Sequence, residues 1–153
     1  MKLIGHLLAG LLLCELCQQP GGAQQETLCA DPPPEYLKDP QLFLWKTLKR
    51  ALTDPSYGPD YFNSSMKGAM VPQLKGKVVK LEPEVAPKTI VLAIEDGKTP
   101  DATLKFDVRL PGKVPIGTEL SFEGLPESYT ASPFMVVFGV EREHLHGWPK
   151  PKR

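Results

Sequence analysis

TELSFEGLPESYTASPFMVVFGVE, residues 118–141, decides how this chain folds. Leu120 and Phe122 lie two apart before its centre, and Phe134, Val136, Phe138 and Val140 repeat the spacing after it. A period of two puts such residues on one face of extended chain, so each run reads as a half-buried strand. Between them PESYTASP (126–133) carries a proline at either end. Prolines and small polar residues mark turns, so this segment reads as a long loop joining the last two strands.

The same period continues upstream. In TLKFDVRL (103–110), Leu104, Phe106, Val108 and Leu110 take the inward phase and Lys105, Asp107 and Arg109 the outward one. KTIVLAIED (88–96) is nearly all apolar, as a central strand is. LKGKVVKLE (74–82) gives the first strand, with Val79 and Leu81 on one face and Gly76 suited to a bend or bulge. EDGKTPD (95–101) and LPGKVPIG (110–117) supply the turns. Five short strands predict a mainly β fold, a small five-stranded OB-like barrel, because closure removes exposed sheet edges. One feature departs from that pattern. PGKVPIGT (111–118) is too short for a helix between strands three and four.

A helix upstream is predicted to plug the barrel end instead. Asp39 caps it, Pro40 suits its first position, and Leu44, Trp45, Leu48, Ala51 and Leu52 recur at helical spacing. TDPSYGPD (53–60) breaks it, and a short second helix is expected over 61–68. The domain thus spans 39–149, after a proline-rich extended linker at 24–38 and before a basic tail at 150–153.

Residues 1–23 read as an export signal. Lys2 gives the positive start, LLAGLLLC (7–14) the apolar run and GGA (21–23) a small-residue cleavage site. The run is too short to span a bilayer, so no transmembrane segment is expected after cleavage. CELC (14–17) falls inside this signal, which leaves Cys29 as the single thiol of the mature chain. It is either idle or paired with another chain. A lipidated Cys14 is disfavoured by Leu13, since a small residue is preferred there. The expected location is the periplasm or the extracellular space.

LFLWKTLKRALTDP, YFNSSMKGAMVPQLKGKVV and GTELSFEGLPESYTASPFMVVFGVE resemble a group of uncharacterised exported bacterial proteins of the Acidobacteria type. There a similar domain stands alone after a signal peptide or follows tetratricopeptide repeats. The resemblance implies an exported bacterial domain and carries no activity with it.

The chemistry legible in the residues is sparse. His144 and His146, with Glu141 or Glu143, form the nearest approach to a metal set. Two imidazoles seldom fill four positions, so no metal and no cofactor are expected. Neither Ser64 nor Ser128 sits in a GxSxG turn, and no glycine-rich phosphate loop occurs, so the chain is read as non-enzymatic. Lys plus Arg equals Asp plus Glu at 18 each, and the aromatics keep the inward phase. Both features argue against nucleic acid, which needs surplus cations and outward rings. The remaining expectation is a binding module of the bacterial envelope, taking a small ligand, glycan or envelope protein. It binds through the 126–133 segment and the 82–88 linker, with Tyr129, Ser128 and Thr130 as its contact residues. The alternative is an accessory domain for protein interaction, acting through the N-terminal helix. Exposure of Leu42, Phe43 and Trp45 favours the second reading, and their burial favours the first.

Overall fold

A computed structural model describes residues 34–150. The expected signal, Cys29, residues 24–33 of the linker and the last three residues lie outside them. The linker's remainder is not extended: Pro34–Lys38 forms a short helix, α1. Pro34 has no N–H to lose in a first turn, and Glu35 and Lys38 each sit at the favourable end of the helix dipole.

Helix α2 spans Pro40–Thr53. The Asp39 carboxylate accepts the Leu42 N–H at 3.0 Å, which makes it the expected cap. Trp45, Leu48 and Leu52 form the buried stripe, while Lys46 and Arg50 face water. Asp54 then accepts the N–H groups of Ser56 and Tyr57 and turns the chain. The second helical segment starts earlier than its sequence predicts. It consists of α3, Gly58–Tyr61, continued by a π-helical turn over Phe62–Met66. Gly58 is required here, since a Cβ would stand 2.5 Å from the Leu52 carbonyl oxygen.

Six strands follow: β1 (Val71–Glu82), β2 (Thr89–Ala93), β3 (Ala102–Lys105), β4 (Glu119–Ala131), β5 (Phe134–Gly139) and β6 (Leu145–His146). The first five pair in the order β1-β2-β3-β5-β4, and β4 pairs back onto β1, so they form a ring. β3 and β5 run parallel, the other pairs antiparallel, and β6 adds to β4. The ring closes through β1, whose first half pairs with β4 and second half with β2. The change of partner falls at Gly76 and Lys77, as the glycine leads one to expect. A Cβ at Gly76 would meet Ile94 Cγ1 at 3.0 Å and Leu92 Cβ at 3.2 Å.

Inside the ring, Leu104, Leu120, Phe122, Val136 and Phe138 form the core in the predicted phase, together with Leu74, Ile90 and Leu92. Its two ends are covered differently. α2 covers the end holding the β2–β3 connection and the β4–β5 turn. There the Trp45 ring meets Phe134 edge-on at 5.7 Å and Phe138 at 6.3 Å. The other end is closed by residues 106–118, an irregular segment that buries Leu110 and Val114. It is tied to the β1–β2 connection by bonds from Phe106 N–H to Lys88, Leu110 N–H to Pro87 and Ala86 N–H to Gly112.

Three expectations are corrected. Val79 does not share the face of Leu81, because the β1–β2 register shifts between Val78 and Lys80. The bulge inserts a residue and puts Val78 inward instead. Val108 is 59 % exposed, because β3 stops at Lys105 and the following backbone leaves the ladder for the β1–β2 connection. Finally, 126–133 is not a long loop. β4 runs through Pro126 to Ala131, and only Ser132 and Pro133 make the turn. The register shifts between Pro126 and Ser128, and beside such a bulge a missing proline N–H does little harm.

The two residues read as inward on the third strand are therefore unequal. Phe106→Ala is expected to lower stability by about 3–5 kcal/mol, and Val108→Ala by less than about 0.5 kcal/mol. Urea denaturation measures both. Similar losses would mean that the regular strand continues past Lys105.

Candidate functional site

The outward side of the ring holds what alternation alone conceals. Cross-strand partners share a face, so the register lines up Val91, Thr103, Val137 and Ser128 across β2, β3, β5 and β4. The next row pairs Met135 with Thr130. The Thr103 hydroxyl lies 3.2 Å from the Met135 sulfur, which joins the two rows. Val91, Thr103, Met135 and Val137 are half-exposed, and Ser128 and Thr130 are exposed. Lys105 and Glu127, 3.8 Å apart, border this strip with opposite charges. The result is a shallow aliphatic surface edged by hydroxyls and one ion pair. Such a surface binds by contact area and hydrogen bonds.

Of the three predicted contact residues, Ser128 and Thr130 lie on this face. Thr130 Oγ1 donates to the Pro133 carbonyl at 2.7 Å. Tyr129, one step out of phase, turns to the other side, and its ring packs on Phe62 at 4.9 Å. Ser64 lies apart, donating to the Asp60 carbonyl at 2.7 Å within the π-helical turn. His144 ends a 3-10 turn and His146 lies in β6, with buried Leu145 between them. Among the described residues, no three His, Cys, Asp or Glu side chains gather to hold a metal ion. None of the described helices is long and apolar enough to cross a membrane.

Val91, Thr103, Met135 and Val137 were not anticipated as site residues. The available signal was FMVVFG (134–139), where both phases are apolar. A strand with one wet face normally alternates, so apolar residues in the outward phase mark a surface with something to cover.

Electrostatics concentrate on the β2–β3 connection. Asp101 is only 3 % exposed. Its Oδ2 accepts the Trp45 indole N–H at 2.8 Å and the Glu95 N–H at 3.1 Å, and its Oδ1 accepts the Ile94 N–H at 2.8 Å. Burial pushes its carboxyl above the ordinary range, against the pull of those three donors and of the nearby Lys49 ammonium. Lys49 pairs with Glu95 and lies 5.4 Å from the centre of the Phe134 ring. Asp96, at the surface, is lowered to about 2 by the Thr99 hydroxyl and the N–H groups of Thr99 and Lys98. A groove of about 350 Å³ beside it is lined by Lys75 and Lys77 and by Asp39, Glu95, Asp96 and Glu119, which leaves it acidic on balance.

Comparison with known protein families, with curated proteins and with solved structures finds no match to this chain.

The Asp101 arrangement makes a definite prediction. In Asp101→Asn an amide NH₂ faces donors from Trp45 and Glu95, and the loss is expected to be about 2–3 kcal/mol at pH 4. A raised native pKa means that the folded state holds its proton over a range where the unfolded chain has lost it. The wild type should therefore lose stability relative to the variant as pH rises from about 4 through that value. Denaturation at a series of pH values tests this, and an advantage that grows with pH would contradict it.

Proposed function

We propose that the chain is a non-enzymatic binding module exported to the bacterial envelope. In this reading the five-stranded ring is a small OB-like barrel. Its ligand, a small molecule, a glycan or a segment of an envelope protein, lies across the outward face of β2, β3, β5 and the second half of β4. The observation that carries the reading is the aliphatic strip of Val91, Met135 and Val137, half-exposed beside Ser128 and Thr130. The parallel β3–β5 pair and the sharing of β1 between β2 and β4 support the barrel assignment. Export rests on residues 1–23, and bacterial origin on the resemblance described above.

Burial of α2 favours this reading over docking through the helix. Trp45 is 0 % exposed and Leu48 and Leu52 are buried, so the apolar stripe of α2 already has a partner in the ring. Leu42 and Phe43 are half-buried.

Two variants separate the alternatives. Val137→Lys places a charge in the strip, and Arg50→Glu reverses one on the outer side of α2. The mature chain, immobilised and exposed to solubilised envelope, should retain a component that Val137→Lys loses and Arg50→Glu keeps. The opposite pattern would transfer function to the helix. Circular dichroism of each variant establishes that it is folded.

Export has its own test. Produced with its own N-terminus in a Gram-negative host, the protein should be recovered outside the cytoplasm with the mass of a chain beginning at Gln24. A full-length cytoplasmic product would exclude the signal.

A further inference from the structure

After β5 the chain builds a second concave surface, separate from the outward strip. A 3-10 turn over Arg142–His144 leads into β6. Leu145 is buried opposite Phe122, and His146 pairs with Ser121, which fixes this segment to β4. Gly147 then takes a φ of +90°, where a Cβ would stand 3.1 Å from the Glu119 carbonyl oxygen. The reversal returns Trp148 to the loop that closes the ring. Its indole N–H donates to the Pro111 carbonyl at 2.9 Å, and its ring packs partly on the core. Between the 3-10 turn and this return lies a groove of about 490 Å³, lined by Arg142, Glu143, Leu145, His146, Trp148 and Lys150.

The groove's chemistry is specific in combination. Arg142, His146 and Lys150 form no ion pair among the described residues, and neither does Glu143. A guanidinium grips a carboxylate or phosphate through two parallel N–H donors, and an ammonium adds a point charge. An indole held by its N–H offers a flat apolar surface of fixed orientation. A carboxylate such as Glu143 accepts hydroxyl protons. A bare anion would leave Trp148 and Glu143 unused. A neutral sugar would leave Arg142 and Lys150 unused. A nucleic-acid strand brings repeated phosphates against Glu143. The geometry points to a binding site for an acidic saccharide, a sugar ring bearing a carboxylate or phosphate. The anion meets Arg142 and Lys150, the C–H face of the ring lies on Trp148, and Glu143 and His146 bond its hydroxyls. A volume of about 490 Å³ falls within the ordinary span of small-ligand sites, roughly 300–1,000 Å³. This site stands independently of the outward strip.

The test is a titration of the mature chain followed by ¹⁵N–¹H NMR. The chain's two tryptophans give separate indole signals, and that of Trp45, buried on Asp101, serves as the internal reference. The probes are methyl galacturonide, a sugar phosphate, a neutral malto-oligosaccharide, inorganic phosphate and a short oligothymidylate. The galacturonide, the sugar phosphate or both should give saturable shifts at the Trp148 indole and at Leu145 and Gly147, with Trp45 and Val137 unmoved. Which of the two responds identifies the anion. Arg142→Gln, a partly exposed position, should fold normally and weaken binding by about tenfold or more. Trp148→Phe should keep part of the affinity. The assignment fails if neither acidic saccharide gives a saturable shift, or if the neutral sugar or inorganic phosphate does as well. It also fails if the oligothymidylate binds more tightly, or if the shifts fall on the outward strip.

Discussion

The hydrogen bond from the Trp45 indole to the Asp101 carboxylate is the contact on which the rest of the structure depends. Apolar burial brings a helix to the open end of a ring but does not choose its depth or rotation. A directed bond from a buried indole does. Asp101 is placed to transmit that choice. Its own N–H donates to Leu92 in β2, and its carbonyl accepts the N–H of Val136 in β5. Its side chain meanwhile holds the N–H groups of Ile94 and Glu95 where β2 ends. One residue, at the entry to β3, thus joins α2 to β2 and β5. Burying a carboxylate is costly unless its lone pairs are met, and here both oxygens are engaged by protein donors.

Closure imposes the remaining constraints. A ring of five strands has no free edge along its paired length, but it has two ends. The stretch between β3 and β4, residues 106–118, is punctuated by Pro111, Gly112, Pro115 and Gly117 and closes one end by irregular backbone with Leu110 and Val114 turned in. The helix that closes the other comes from the chain's N-terminal side. This division explains why so many prolines are tolerated. Pro87, Pro111 and Pro115 stand in connections, and Pro126 stands beside a bulge, where a missing donor matters least.

Most of the core was legible in the sequence, because a period of two survives wherever the ladder is regular. Leu104, Leu120, Phe122, Val136 and Phe138 all follow it. It failed at Val79, at Val108 and between Pro126 and Pro133 for one physical reason. A bulge or an early strand end changes the phase of the backbone without changing the residue types that occupy it. The capped start of α2 was legible because Asp39 and Pro40 act locally. Asp101 was not. In sequence it is the last residue of a turn-like EDGKTPD, and nothing local distinguishes it from Asp96. Yet one carboxyl is buried and pushed up, while the other is at the surface and pulled down. The difference comes from burial, which outweighs the downward pull of the bond from Trp45, 56 residues away.

The same limit applies to the candidate surfaces. Tyr129 drew attention as an aromatic among turn residues, but it belongs to the layer that packs on Phe62. Its neighbours Ser128 and Thr130 share the outward strip with side chains from β2, β3 and β5, a grouping that only register creates. The aromatic residues themselves divide by place. Trp45, Phe62, Phe106, Phe122 and Phe138 are buried, and the outward strip holds aliphatic and hydroxyl groups instead. Trp148 differs in kind. It is half-buried, its N–H is fixed on Pro111, and it stands beside cations that have no ion-pair partner among the described residues. An aliphatic strip and a groove with two cations and one indole are chemically different surfaces. The strip presents shape and hydroxyl contacts, and the groove presents two cations and one carboxylate beside a flat ring.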